Sequence, residues 1–212
     1  METKEEKIQE KSSEDILKRH VYWAVGAGLI PLPVVDIAAV TAIQVDMLKQ
    51  ICSFYHIDYS EETGKTWISA LVTSTMSSLI ARFSASAVKF IPVIGTMVGA
   101  TSMAILSGAS TYALGKAFIN HFENGGTFSN LNEEKVKEIY NEQVKEGKKI
   151  AKTLKEKYMK LIETPPGKER QHNAAKKIKE LDELKANKQV TDEEYEKLRK
   201  DIFKKFLGED VN

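Results

Sequence analysis

The apolar positions of this chain fall at helical spacing or in long unbroken runs, so almost every stretch reads as helix and the predicted fold class is all-α. Ser12 or Ser13 can cap a first helix whose opening turn holds Glu14 and Asp15, acids well placed for the helix dipole. That helix runs into the apolar stretch Val21 to Ile30 and stops at Pro31-Leu32-Pro33, where the first proline lacks a donor and restricts the residue before it. A second helix is expected from Pro33 or Val34 to about Tyr55, closing a helical hairpin. Ser60, followed by Glu61 and Glu62, starts a third helix over 61–89. Pro92 interrupts the chain, a fourth helix covers roughly 92–122, and Asn124-Gly125-Gly126 ends it.

A fifth helix spans about 132–162, with Tyr140, Val144, Gly147, Ala151, Leu154, Tyr158 and Leu161 forming a heptad stripe. Its Gly and Ala suit packing on a neighbour better than a strong zipper. Thr164-Pro165-Pro166-Gly167 reads as a linker. Beyond it, Ile178, Leu181 and Leu184 line one short helix, and Tyr195, Leu198, Ile202 and Phe203 line another. Thr191 caps the second of these, with Glu194 three residues on completing a capping box; the turn between the two lies at Asn187–Val190. So small a hairpin buries too little to stand alone and is expected to dock, on a partner or on a copy of itself.

Charge divides the chain along the same lines. The formal net charge is +1, but residues 1–20 carry 5 basic and 6 acidic side chains, 21–130 carry 5 and 6, and 131–212 carry 21 and 18. The predicted organisation is a charged arm at 1–20, an apolar helical body at 21–130, a charged amphipathic helix at 131–163, a linker at 164–173 and a C-terminal hairpin at 174–208. The balance of signs leaves no general nucleic-acid footprint. The one local excess is at 145–160, seven Lys against Glu146 and Glu156. It is either a solvated helix face or a surface for anionic lipid, with Lys145, Lys148, Lys149 and Lys152 as the lipid-facing candidates. The opening Met1-Glu-Thr-Lys-Glu-Glu lacks the pattern of a secretory signal, and Cys52 is the one cysteine, so the cytoplasmic side is the expected setting of the charged parts.

Three uncharged runs define the body: Val21–Val35 with nine more residues after Asp36, Thr66–Ala81, and Phe90–Gly115. Only the last exceeds the ~20 residues that span a bilayer. The apolar part of the first helix is about ten residues, roughly 15 Å at 1.5 Å per residue, against ~30 Å of hydrocarbon. A hairpin of that reach dips into one leaflet. The other reading is a bundle core with helices apolar all round, where small residues such as Gly95 and Gly99 let helices approach closely. Tyr22, Trp23 and Trp67 at the edges of apolar runs suit an interfacial belt or a core equally. Asp36 is either a cap after the proline pair or a buried contact with Thr41 or Gln44 that fixes how hairpins pair.

Enzymatic motifs fail one by one. Gly64-Lys65-Thr66 imitates the end of a P-loop, but Tyr59 stands where the first glycine is needed and no strand precedes it. His20, His56, His121 and His172 make no metal-ligand spacing. Cys52 and His56, four apart on one helix, allow a contact, against the plainer expectation of an inert packed thiol. No catalytic residue, cofactor or metal site is assigned.

Trp23-Ala-Val-Gly26-Ala-Gly28-Leu-Ile-Pro31-Leu-Pro33-Val-Val-Asp36, with Ala42-Ile-Gln44 and Met47-Leu48, resembles the opening of the YcjF-like family, the domain of unknown function numbered 697. Ile91-Pro92-Val-Ile-Gly95 through Thr111-Tyr-Ala-Leu-Gly115 and Phe122 are similar to its second block. The resemblance covers roughly 15–160 and implies a bacterial, membrane-associated, all-helical protein of unresolved biochemistry. The expected place is the cytoplasmic face of the inner membrane, peripheral or integral, with the cytoplasm as the alternative. It also implies a separate GTPase as a class of partner. Gly26, Gly28, Pro31, Pro33, Asp36, Gln44, Pro92, Gly95, Gly99, Gly108 and Gly115 are its architectural positions. The C-terminal hairpin resembles the SHOCT domain, with Ile178, Leu181, Leu184, Val190, Tyr195, Leu198 and Ile202 as its expected interface.

Together these readings give a non-enzymatic membrane-associated module whose tail self-assembles or recruits a partner. The rivals are a soluble helical adaptor and a membrane-perturbing, pore-type protein. No nucleic acid or small-molecule substrate is expected.

Overall fold

The computed structural model describes residues 12–30, 35–84 and 97–207, without the side chains of 35–38, 73–84 and 97–102. The described residues form seven α-helices and one 3-10 turn, so the protein is all-α. The helices are α1 (Ser13–Ala27), α2 (Val35–Phe54), α3 (Glu61–Ser84), α4 (Met97–Glu123), α5 (Glu133–Ile162), α6 (Pro165–Ala186) and α7 (Asp192–Leu207).

Local chemistry accounts for most of the boundaries. Ser12 caps α1 by accepting from the Asp15 amide at 3.2 Å. Asn132 caps α5 by accepting from the Lys135 amide at 2.9 Å. After α4, Gly125 takes the left-handed conformation (φ 77°) and the Gly126 amide returns to the His121 carbonyl at 3.0 Å, closing the helix end. After α2 the same role falls to His56 (φ 55°), with the Ile57 amide on the Cys52 carbonyl at 2.8 Å.

The expected linker at 164–173 is instead the start of α6. Thr164 is its N-cap, accepting from the Gly167 amide at 3.2 Å, and Pro165 and Pro166 occupy the first helical positions. Proline costs nothing there, because those amides have no intrahelical acceptor in any case. Gly167 permits the tight turn out of α5: a Cβ on it would collide with the Leu161 carbonyl oxygen.

Two apolar clusters lie along the α4–α5 pair. One gathers Leu17, Met47, Leu48, Ile51, Ile68, Leu71, Leu114, Phe118 and Tyr140. The other gathers Trp23, Val25, Leu29, Ile30, Ala104, Ala151, Tyr158, Ile162, Ile178, Phe203, Phe206 and Leu207. The α5 stripe is buried at Tyr140, Val144, Gly147, Ala151 and Tyr158, as its spacing predicts. At its end Leu161 is half exposed and Ile162 is buried in its place, because the 3.6-residue period has drifted from the heptad by then.

Small residues set the closest helix approach. A Cβ at Gly147 would stand 2.8 Å from the Ala109 carbonyl oxygen, and one at Gly108 would stand 2.8 Å from the Ala151 Cβ, so α4 and α5 meet nearly backbone to backbone. A Cβ at Gly28 would likewise stand 2.6 Å from the Ala104 Cα, so the end of α1 meets α4 at its backbone.

Candidate functional site

The polar chemistry inside this apolar frame concentrates where α1, α2 and α7 meet. His20 faces inward from α1 and is fully buried. Its Nδ1 lies 2.7 Å from the Ile16 carbonyl oxygen and its Nε2 lies 3.1 Å from an Asp46 carboxylate oxygen on α2. Gln50 donates to the same Asp46 oxygen at 2.9 Å, and so does the Lys200 ammonium of α7, also at 2.9 Å. Burial pushes the Asp46 carboxyl up, but the hydrogen bonds and charges of His20 and Lys200 outweigh it and hold the group well below the ordinary carboxylate range. Trp23 floors the cluster. His20 meets it edge-on at 5.0 Å, and Arg19 and Lys200 lie over its ring at 5.1 and 5.7 Å.

A cleft of about 660 Å³ opens beside the cluster, between α2, the start of α3 and α7. Ile43, Val45 and Phe203 give it an apolar wall, and Lys49, Glu61 and Glu196 stand among its charged residues. Tyr59 also lines it, with a buried hydroxyl and a pKa pushed up to about 12, mainly by burial and then by Glu61. No group of His, Cys, Asp and Glu among the described residues could hold a metal ion. The cluster ties helices together; it presents no nucleophile with a base beside it.

The second polar tie is at Gln44. Its side chain is buried on α2, and its Nε2 donates to the hydroxyls of Ser110 and Thr111 on α4, each at 3.1 Å. Ser110 passes the chain on to the Ser107 carbonyl at 3.1 Å. Gln44 was expected as an architectural position, and it joins α2 to α4.

The remaining sequence candidates divide. Gly26 sits where a Cβ would strike Leu207 of α7, and Gly115 where one would strike Leu17 and approach the Met47 sulfur at 3.2 Å. Pro31, Pro33, Pro92, Gly95 and the side chain of Asp36 lie outside the described residues; Gly99 lies in α4, its surroundings outside them. Lys145, Lys149 and Lys152 are exposed and Lys148 half-buried on the face of α5 away from its buried stripe, with Lys149 paired to Glu146 at 2.8 Å.

In the C-terminal hairpin Ile178, Leu181 and Tyr195 are buried and Val190 and Ile202 are half-buried, while Leu184 and Leu198 are exposed at 39% and 44%. The expected single interface is therefore split. The hairpin turns Phe203, Phe206 and Leu207, together with Ile178, into the second apolar cluster, and Leu184 and Leu198 outward. Its two helices are tied by Tyr195 of α7, whose hydroxyl donates to Asp182 of α6 and accepts from buried Arg199 at 3.0 Å.

Three other expectations are corrected or sharpened. Trp23 is buried, Tyr22 stacks on Tyr158 at 4.7 Å, and Trp67 packs on the first cluster, so these rings serve the core. Cys52 is fully buried, and burial pushes its thiol up to about 12, the state of an inert thiol. α2 ends before His56, which is exposed, so no Cys–His pair sits on one helix.

The His20–Asp46–Lys200 cluster leaves a single trace along the chain: Asp46 is the one acid between Asp36 and Asp58 on a helix otherwise almost uncharged. Its partners lie 26 and 154 residues away.

The model of the family described as a domain of unknown function, DUF697, matches residues 2–149. The chain is 35% identical over 144 residues to magnetosome membrane protein 22 of Magnetospirillum gryphiswaldense, covering 68% of this chain and 74% of that protein. No solved structure matches.

Proposed function

The chain belongs to the DUF697 family, and from that footing we propose that it is a non-enzymatic helical module that associates with a membrane surface. The observation that carries this reading is kinship with a relative named as a membrane protein. The uncharged run Val21–Val35 and the exposed lysines of α5 support it. The apolar part of α1, roughly 15 Å long, has the reach of a single leaflet, so the contact we propose is shallow. No described helix is long and apolar enough to cross a membrane. The untagged protein is expected in the pellet after ultracentrifugation of cell lysate, and to float with lipid. Release by alkaline carbonate would identify a peripheral attachment and retention an inserted one. Recovery in the first supernatant would sink the reading in favour of a soluble adaptor.

The tail is the part we assign to self-association or to recruiting a partner, a separate GTPase included. Exposed Leu184 and Leu198 on the hairpin favour this. The pair of substitutions Leu184→Ser and Leu198→Ser is expected to lower the sedimentation coefficient without loss of helix content. An unchanged coefficient would remove the tail from assembly.

A further inference from the structure

The charge on buried His20 follows from what its two ring nitrogens touch. Nδ1 lies 2.7 Å from the Ile16 carbonyl oxygen, and Nε2 lies 3.1 Å from Oδ2 of Asp46. Both neighbours are hydrogen-bond acceptors. A neutral imidazole carries one N–H, so either tautomer turns a ring lone pair on an oxygen at one end. The imidazolium has a donor for both. The proton has no better place on the carboxyl. Oδ2 also accepts from Gln50 and from the Lys200 ammonium, each at 2.9 Å, and three donors on one oxygen mark it as a carboxylate.

We propose that His20 is a buried imidazolium and that its ion pair with Asp46 is a pH-gated clamp between α1 and α2. The clamp is closed while the ring carries two protons and the carboxyl none. It goes beyond the membrane reading and does not depend on it. A buried charge is tolerated where it has an opposite charge and its remaining donors are satisfied, and Asp46 with the Ile16 carbonyl meets both conditions. The charged surroundings agree. From α2 comes Asp46, from α7 Lys200, and from α1 itself Arg19, whose guanidinium donates to Gln50. α4 brings Lys116, which is paired to Glu14 at the start of α1, and α5 brings Tyr158, whose hydroxyl donates to the Tyr22 carbonyl at 3.1 Å. Lys200 is the cation that competes with the ring for Oδ2. Its side chain is 44% exposed and therefore screened by solvent, whereas His20 meets Asp46 in direct contact. Loss of the second ring proton puts a lone pair against the carboxylate and opens the clamp as pH rises. Protonation of Asp46 opens it from the acid side.

The test is ring-nitrogen NMR of the full chain labelled in histidine, with His20→Gln identifying the His20 signals among the four histidines. Two protonated ring nitrogens are expected for His20 at pH 6, giving way to one in a single step as pH rises. Lys200→Met, at a partly exposed position, removes the competing cation and is expected to move that step to higher pH. Asp46→Asn is expected to move it down by at least about one pH unit. Across the wild-type step the urea midpoint is expected to fall relative to that of His20→Gln, whose side chain has no proton to lose. A single ring proton at pH 6 overturns the imidazolium. A step that Lys200→Met leaves in place overturns the shared carboxylate, even where Asp46→Asn does not fold. A urea midpoint that ignores the step overturns the clamp.

Discussion

At the scale of single residues, a few buried polar groups decide which helix faces which. Apolar surfaces attract without direction, so Met47, Leu114 and Phe118 could pack in several registers. Gln44 cannot: its amide needs the hydroxyls of Ser110 and Thr111 at hydrogen-bond distance, and it finds them at one rotation of α2 against α4. Gln44→Leu leaves those hydroxyls short of a donor in a dry interface and is expected to cost about 1–3 kcal/mol in urea unfolding. Adding Thr111→Val, which removes one of the two hydroxyls left without the Gln44 amide, is expected to restore part of that loss. If the double variant is as weak as the sum of the two singles, the tie is not energetically coupled.

At the scale of helices, close approach is bought with small side chains, and the cost of removing them is steric. Gly147 faces the Ala109 carbonyl and Gly108 faces Ala151, so Gly147→Leu forces α4 and α5 apart. That overpacking is expected to cost at least about 2 kcal/mol and to lower the thermal midpoint by several degrees, readable by circular dichroism. A midpoint within a degree of wild type would mean that the interface yields easily. What the sequence reveals of these elements follows the range of the signal. The starts of α1, α5 and α7 and the end of α4 are written in neighbouring residues: Ser12 with Asp15, Asn132 with Lys135, Thr191 with Glu194, Gly125 after Phe122. The α5 stripe is legible because its period is local. The start of α6 is misread because Thr164-Pro165-Pro166-Gly167 serves a loop and a helix N-terminus equally well. The meeting of His20, Asp46 and Lys200 is not legible at all, since no pattern within one element joins residues that far apart.

At the scale of the whole molecule, the two clusters should differ in how they open. The first is built from α1 to α5 and closes on itself, with Leu17, Met47, Leu114, Phe118 and Tyr140 fully buried. The second depends for its cover on α7, a 16-residue helix at the edge of the bundle. Sub-global opening is therefore expected to start at α7 while α4 and α5 hold. Its pH dependence has a definite sign. In the closed state His20 and, after it, Lys200 hold the Asp46 carboxyl well below the ordinary range; opening removes Lys200 while His20 stays, so that pKa rises part of the way back toward the ordinary range. The open state then binds more protons than the closed one, so the ion pair's contribution is complete above about pH 4 and is lost as pH falls through the closed-state value. Hydrogen exchange of the α7 amides, corrected for intrinsic rate, is expected to quicken as pH falls below about 4, relative to α4 and α5. Asp46→Asn should flatten that dependence and quicken α7 exchange at pH 6. Equal acceleration of α4 and α7 would mean that the chain opens as one unit and that α7 does not open on its own.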